Sequence, residues 1–195
     1  MTHKSFPLGK LIFFATGNIH KFNEARKLLA EYNIATAMLK IRTIEIQDND
    51  LENIARTRAL EAANKSYLPI IVEDAGLFVD ALNGFPGPYS SYVYLTIGKE
   101  GILKLLNGCE NRKACFRSVV AFCISKNFLK CFHGVAEGRI ANKVRGKSGF
   151  GFDPIFEPIE YPGKTFGEMT LDEKNKYSHR VKALRKFAEW YKSES

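Results

Sequence analysis

The chain has 195 residues, enough for one well-buried core, and its 45% hydrophobic and 26% charged content exclude wholesale disorder and fibrous repeats. A formal charge of +8, from 29 Lys and Arg against 21 Asp and Glu, favours anionic partners, with nucleotides and nucleic acid as the two candidates. The longest apolar run near the start, Leu11 to Ala15, is too short for a signal peptide or a membrane span, so the expectation is a cytoplasmic protein with no membrane association.

In chain order, Leu11 to Ala15 predicts a strand that runs through the turn Thr16-Gly17-Asn18 into a helix carrying Phe22, Ala25, Leu28, Leu29 and Tyr32 on one face. A second extended stretch is expected around Ala37 to Ile46. Asp48 to Asp50 then offer caps for a helix with Leu51, Ile54, Ala55, Ala59 and Ala62 on its buried side. Ile70-Ile71-Val72 reads as a short buried strand that ends at Glu73 and Asp74. Asn83 to Pro88 is dense in turn formers, and Gly101 to Leu106 predicts a short helix. Ala114 to Ser125 and Phe128 to Ile140 predict a long antiparallel hairpin around Lys126-Asn127. Thr170-Leu171-Asp172-Glu173 matches a capping box, and Val181, Leu184, Phe187, Ala188 and Tyr191 form a final helical stripe. Together these elements predict a mixed α/β architecture without a separate linker. Cys109, Cys115, Cys123 and Cys131 lack C-x-x-C or matching histidine spacing and read as small core residues rather than zinc ligands.

Four segments have residue types suited to chemistry, and each also has an ordinary structural reading. Thr16 to Lys21, between strand and helix, suits an anion: Gly17 permits a close turn, helix-start amides point outward, and Lys21 adds a charge. It reads equally as a plain turn capped by Asn18. Gly146-Lys147-Ser148 is not a P-loop, because Ala141 stands where that motif needs its first glycine.

Glu73 and Asp74 could supply a hard-oxygen metal ligand and a base for water. Strand alternation turns only one of them toward a common site, and Asp74 is the choice, with Glu45 as the distant acid to share a metal and Glu73 left to shape the strand end. A strand-end surface pair is the other reading. In Gly149 to Pro154, Phe150 can stack on a flat ligand between glycines and Asp153 can accept hydrogen bonds, or the loop simply packs its phenylalanines inward. Lys174 to Arg180 gathers donors that could read a base edge, or forms a charged helix face.

The stretches FFATGNIHKFNEARKLL, VEDAGLFVDALNGFPGPYSSYV, GKSGFGFDPIF and KTFGEMTLDEKNKYSHRVKAL closely resemble, in this order, the inosine and xanthosine triphosphate pyrophosphatase family. The resemblance runs from about residue 11 to residue 187 and treats residues 1–195 as one pyrophosphatase domain. It implies an elongated two-lobed mixed-sheet fold with a deep central nucleotide-binding cleft, usually homodimeric. It also implies magnesium-dependent cleavage of deaminated purine triphosphates (ITP, dITP, XTP) to monophosphate and pyrophosphate.

By position, Thr16, Gly17, Asn18, Ile19, His20 and Lys21 would cradle the triphosphate. Glu45 and Asp74 would hold the metal, and Asp74 would act on water. Phe150 would stack on the base, with Gly151, Phe152 and Asp153 completing that wall. Lys174, His179 and Arg180 would face the purine edge. Three departures from the family pattern stand out: Ala75 replaces serine in the nucleotide-contacting stretch, Phe152 replaces tyrosine or tryptophan, and Gly167 replaces alanine. A basic nucleic-acid-binding module and a pyrophosphatase for other modified nucleotides are the rival readings. The first predicts salt-sensitive polynucleotide binding without turnover, and no stable nucleic-acid partner is expected under the favoured reading.

Overall fold

The computed structural model describes residues 11–44, 46–125 and 128–194. Strand β1 (Leu11–Ala15) lies between β2 (Ala35–Leu39) and β3 (Ile70–Val79), parallel to both. The sheet continues antiparallel through β5 (Lys113–Ser125), β6 (Phe128–Ile140) and β7 (Phe156–Pro158), while β4 (Pro86–Gly87) pairs back onto β3. The result is a seven-stranded mixed sheet flanked by helices, the expected α/β class.

Helix α1 (Ile19–Glu31) starts where Asn18 caps it and buries Ala25, Leu28 and Leu29, with Phe22 and Tyr32 packed alongside. Helix α2 (Leu51–Ser66) is capped by Asp50, whose carboxylate accepts from the Glu52 amide at 2.8 Å. Its buried alanines, Ala55, Ala59, Ala62 and Ala63, let it lie close to the sheet. Helices α3 (Ser90–Thr96) and α4 (Gly98–Leu105) follow β4, and α5 (Leu171–Tyr177) begins at the Thr170 capping box. The expected stripe Val181, Leu184, Phe187, Ala188 and Tyr191 is buried in full on α6 (His179–Ser193).

Three elements depart from expectation. β2 stops at Leu39 rather than reaching Ile46, because all its residues pair one to one with β1, which ends at Ala15. β3 does not end at Val72: every residue from Ile70 to Val79 pairs with β5, so the ladder outlasts the apolar run. Glu73 and Asp74 therefore sit mid-strand. α3 was not anticipated, because Tyr92, Val93, Tyr94 and Thr96 have strand-type preferences that tertiary packing overrides. The β5–β6 hairpin is as expected, although Lys126-Asn127 lies outside the described residues.

The core falls into three clusters. On one face, Ile12, Phe14, Ile71, Val120 and Phe122 pack under α1 and α6. Further along the same strands, Leu77, Val79 and Phe116 pack with Ile102, Leu106, Phe152, Phe156 and Phe166. On the opposite face α2 covers Ile70, Val72, Val119 and Ala121. Cys115 and Cys123 are buried as expected, while Cys131 is half-buried and Cys109 exposed, and no disulfide joins them. Among the described residues no helix is long and apolar enough to cross a membrane.

Candidate active site

Alternation along β3 sends its two acids to opposite faces of the sheet. Glu73 points toward α1 and α6 with its side chain fully buried. Its Oε2 lies 2.9 Å from Lys21 Nζ and its Oε1 3.1 Å from Arg180 Nε, and Ser118 Oγ donates to Oε1 at 2.6 Å. Lys21 Nζ also donates to the Glu73 main-chain carbonyl at 3.2 Å. Burial pushes this carboxyl upward, but Arg180 and Lys21 outweigh it and hold the group far below the usual carboxylate range. Glu73 is thus an ionic hub between two helices, which corrects the expectation that it only shapes a strand end.

Asp74 points toward α2, where Arg58 Nη1 donates to its Oδ1. Burial dominates its environment and pushes its pKa up despite Lys21 and Arg58. Its Oδ2 is buried without a hydrogen-bond partner among the described residues. An orphaned hard oxygen of this kind fits a divalent cation such as magnesium. No group of three His, Cys, Asp or Glu residues that could hold a metal occurs among the described residues, so Asp74 is the donor in view. Glu45, its expected partner, lies outside them.

Glu24 forms a second buried centre. Its carboxylate meets Lys174 Nζ at 2.9 Å and Arg180 Nη1 at 2.5 Å, and Lys174 Nζ meets Asp153 Oδ2 at 2.7 Å. Burial pushes Glu24 upward, yet Arg180 and Lys174 hold it below the usual value; for Asp153 burial wins and raises it. Burial disfavours the Arg180 cation, but Glu73 and Glu24 more than offset this and raise its pKa. Lys174, His179 and Arg180 are 2%, 3% and 2% exposed, which rules out a charged, solvated helix face.

The Phe150 loop sits against this centre. Lys174 Nζ and Arg180 Cζ lie 4.9 Å and 5.3 Å from the Phe150 ring centroid, and His20 stacks on the ring at 5.2 Å. The Phe150 amide donates to Asp153 Oδ2 at 2.8 Å. Gly149, at φ +73°, admits no side chain, since a Cβ would fall 2.2 Å from the same oxygen. Gly151 also takes a positive φ. Phe152 is only 3% exposed and packs edge-on against Tyr94, so it supports the loop from the core rather than facing outward beside Phe150.

The turn before α1 is internally bonded. Thr16 Oγ1 accepts from the Asn18 amide at 3.1 Å, and Asn18 Oδ1 accepts from the His20 and Lys21 amides at 2.9 and 3.2 Å. Gly17, Ile19 and His20 are exposed, and half-buried Ala75 follows Asp74 on β3. One ion network therefore connects Lys21, Asp153, Lys174 and Arg180 through Glu24 and Glu73, with Asp74 next along the strand. Two cavities, about 170 and 480 Å³, lie beside this network: Ser118 lines the smaller together with Arg117 and His133, and Lys182 and Arg185 line the larger.

Sequence reasoning missed Glu24, Arg58 and Ser118. Two of them carried a signal: Glu24 is four residues before Leu28, and Arg58 is four after Ile54 and four before Ala62, so each is a charge on an apolar helical stripe. Ser118 shows itself only through the β3–β5 register.

Comparison with known proteins agrees with this architecture. The model of the Ham1 family matches residues 12–190. The dITP/XTP pyrophosphatase of Methanopyrus kandleri is 53% identical over 182 residues, covering 93% of this chain and 96% of that one. The protein of the same name from Pyrococcus horikoshii is 50% identical over 181 residues, covering 93% and 96%. Among solved structures, a HAM1 protein from Coxiella burnetii superposes with a TM-score of 0.82 at 31% identity, covering 94% of this chain and 98% of that one. The Ham1 protein of Staphylococcus aureus gives 0.80 at 26%, covering 95% and 100%. With the family model spanning nearly all of the described fold, and half-identical relatives matched almost end to end, the chain belongs to the Ham1 family.

Proposed function

We propose that this protein hydrolyses deaminated purine nucleoside triphosphates (dITP, ITP and XTP) to the monophosphate and pyrophosphate. The observation that carries the reading is the pair of buried cations, Lys174 and Arg180, fixed by Glu24 beside the Phe150 ring and joined by ion pairs to Lys21. The names of the M. kandleri and P. horikoshii relatives point to the same substrates.

Lys174 and Arg180 only donate hydrogen bonds, so they match the 6-oxo group of a deaminated purine and face another donor in adenine. Polar complementarity of this kind rejects the wrong group by about ten-thousandfold. Phe150 offers a face for stacking the base. At the other end, Lys21 and the turn from Thr16 to His20 neutralise the triphosphate and the departing pyrophosphate. Asp74, with its carboxyl pKa raised by burial, accepts the proton of the water that attacks the α-phosphorus as pyrophosphate departs. Asp74 and Glu45 would hold magnesium, which when bound neutralises phosphate oxygens. The resemblance also brings a homodimer, a cleft between two lobes and a cytoplasmic location into the proposal.

The test is product analysis with dITP, XTP and ATP, with and without magnesium. Monophosphate plus pyrophosphate from the deaminated nucleotides supports the reading; diphosphate plus phosphate, or polynucleotide binding without turnover, refutes it.

A further inference from the structure

On the sheet face that carries α1 and α6, the two core clusters leave a gap. It lies between Ile71 and Leu77 on β3 and between Val120 and Phe116 on β5, and Glu73 and Ser118 fill it. Glu73 spends its two oxygens on two different cations, Oε2 on Lys21 and Oε1 on Arg180. Lys21 belongs to the first turn of α1, and Arg180 to the first turn of α6 beside Phe150. A buried carboxylate between two cations fixes their separation, because moving either one leaves charge unpaired where water does not reach.

We propose that Glu73 is a positioning residue that couples base recognition to phosphate chemistry. It holds the span between Arg180 at the base end and Lys21 at the triphosphate end. A purine seated correctly against Arg180 then brings its α-phosphorus into register with Lys21 and Asp74. This rests on the proposed function.

The surroundings of Glu73 give the coupling a distinctive signature. Arg180 is also held by Glu24 at 2.5 Å, and Lys21 by the Glu73 main-chain carbonyl at 3.2 Å, so neutralising the Glu73 side chain loosens the span without releasing either cation entirely. Glu73 also competes with the triphosphate for Lys21 and with the 6-oxo group for Arg180, so its neutralisation does not weaken ground-state attraction. A base that cannot accept from Arg180 sits out of register whether or not Glu73 is charged. The loss therefore falls on kcat, and on the 6-oxo purine.

The experiment compares kcat and KM for dITP and ATP, with magnesium, in the wild type and in Glu73→Gln. A displacement of about 1 Å between reacting groups costs about a hundredfold. The expected result is a fall of about a hundredfold in kcat for dITP with KM unchanged or lower, and a change below roughly threefold in kcat for ATP. Equal losses on both nucleotides, an unchanged kcat for dITP, or a raised KM for dITP would overturn the coupling. If circular dichroism shows that Glu73→Gln does not fold, Ser118→Ala decides. It removes the 2.6 Å hydrogen bond to Glu73 but leaves all three charges, so it should lower the dITP-to-ATP ratio of kcat in the same direction; an unchanged ratio overturns the proposal. A wild type that releases no pyrophosphate from dITP overturns the proposed function and the coupling with it. An active wild type with unchanged ratios in the variants refutes the coupling alone.

Discussion

His179 lies flat on Phe116, with ring centroids 4.6 Å apart and planes 11° from parallel, and its Nδ1 is buried without a hydrogen-bond partner among the described residues. Burial, reinforced by the Arg180 charge, pulls its pKa well below the ordinary 6.5. The unfolded chain takes up this proton near 6.5 and the folded chain only much lower, so in that window the unfolded state binds more protons. Stability should therefore decline as pH falls through about 6.5, and thermal midpoints measured from roughly pH 7.5 to 5.5 should show it. His179→Gln should flatten the profile in that window. Below the ordinary carboxylate range, Glu24 and Glu73 should add a second decline, because their lowered pKa values favour the fold only while they are ionised.

Asp74→Asn tests the proposed base and metal ligand. Turnover of dITP should fall by about a hundredfold to a thousandfold. Because burial already disfavours the Asp74 charge, the thermal midpoint should hold or rise rather than drop. Magnesium should stabilise the wild type in a thermal-shift assay and fail to stabilise the variant, and chelation should stop wild-type turnover until magnesium is restored. Normal turnover in the variant would remove Asp74 from the chemistry.

Glu24→Ala leaves Lys174 and Arg180, both nearly fully buried, with one partner fewer each. Breaking a buried network by deleting one partner costs about 3–5 kcal/mol, which urea unfolding can measure. Where the variant folds, discrimination between dITP and ATP should weaken, because both donors proposed to read the base lose an anchor. A loss below about 1 kcal/mol would mean that water replaces the carboxylate.

Gly134→Ala probes how closely α6 rides on the sheet. A Cβ at Gly134 would fall 2.0 Å from the His179 carbonyl oxygen and 2.5 Å from the Ala183 amide nitrogen, so the start of α6 must move. Overpacking of this sort costs about 1–3 kcal/mol. The same shift carries His179 and Arg180 with it, so dITP turnover should drop even where the variant is fully folded at the assay temperature.

Much of the architecture was legible because local signals agreed with tertiary structure. β1 and β6 have the boundaries that their residue preferences suggest, and the Thr170 capping box forms as written. Two kinds of information were not local. The length of β3 comes from its ladder with β5, which no residue on β3 announces, so Glu73 and Asp74 read as a strand end when they lie mid-strand. The partners of Glu73 come from α1, β5 and α6, and only folding brings Lys21, Ser118 and Arg180 to one carboxylate. The four candidate segments were legible; the acids that tie three of them together were visible only as charges on apolar stripes or at strand positions. Phe152 shows the converse, an aromatic within a candidate loop whose ring belongs to the core.

The place of Glu73 between two packed clusters bears on how this family can change over time. Ile71 and Val120 belong to one cluster, Leu77 and Phe116 to the other, and the ion-paired carboxylate stands between them. Substitutions that repack either cluster can accumulate without passing through Glu73, so the two hydrophobic regions are free to drift separately while the charges at their boundary stay put. Sequence divergence should then concentrate inside the clusters and thin out at this seam.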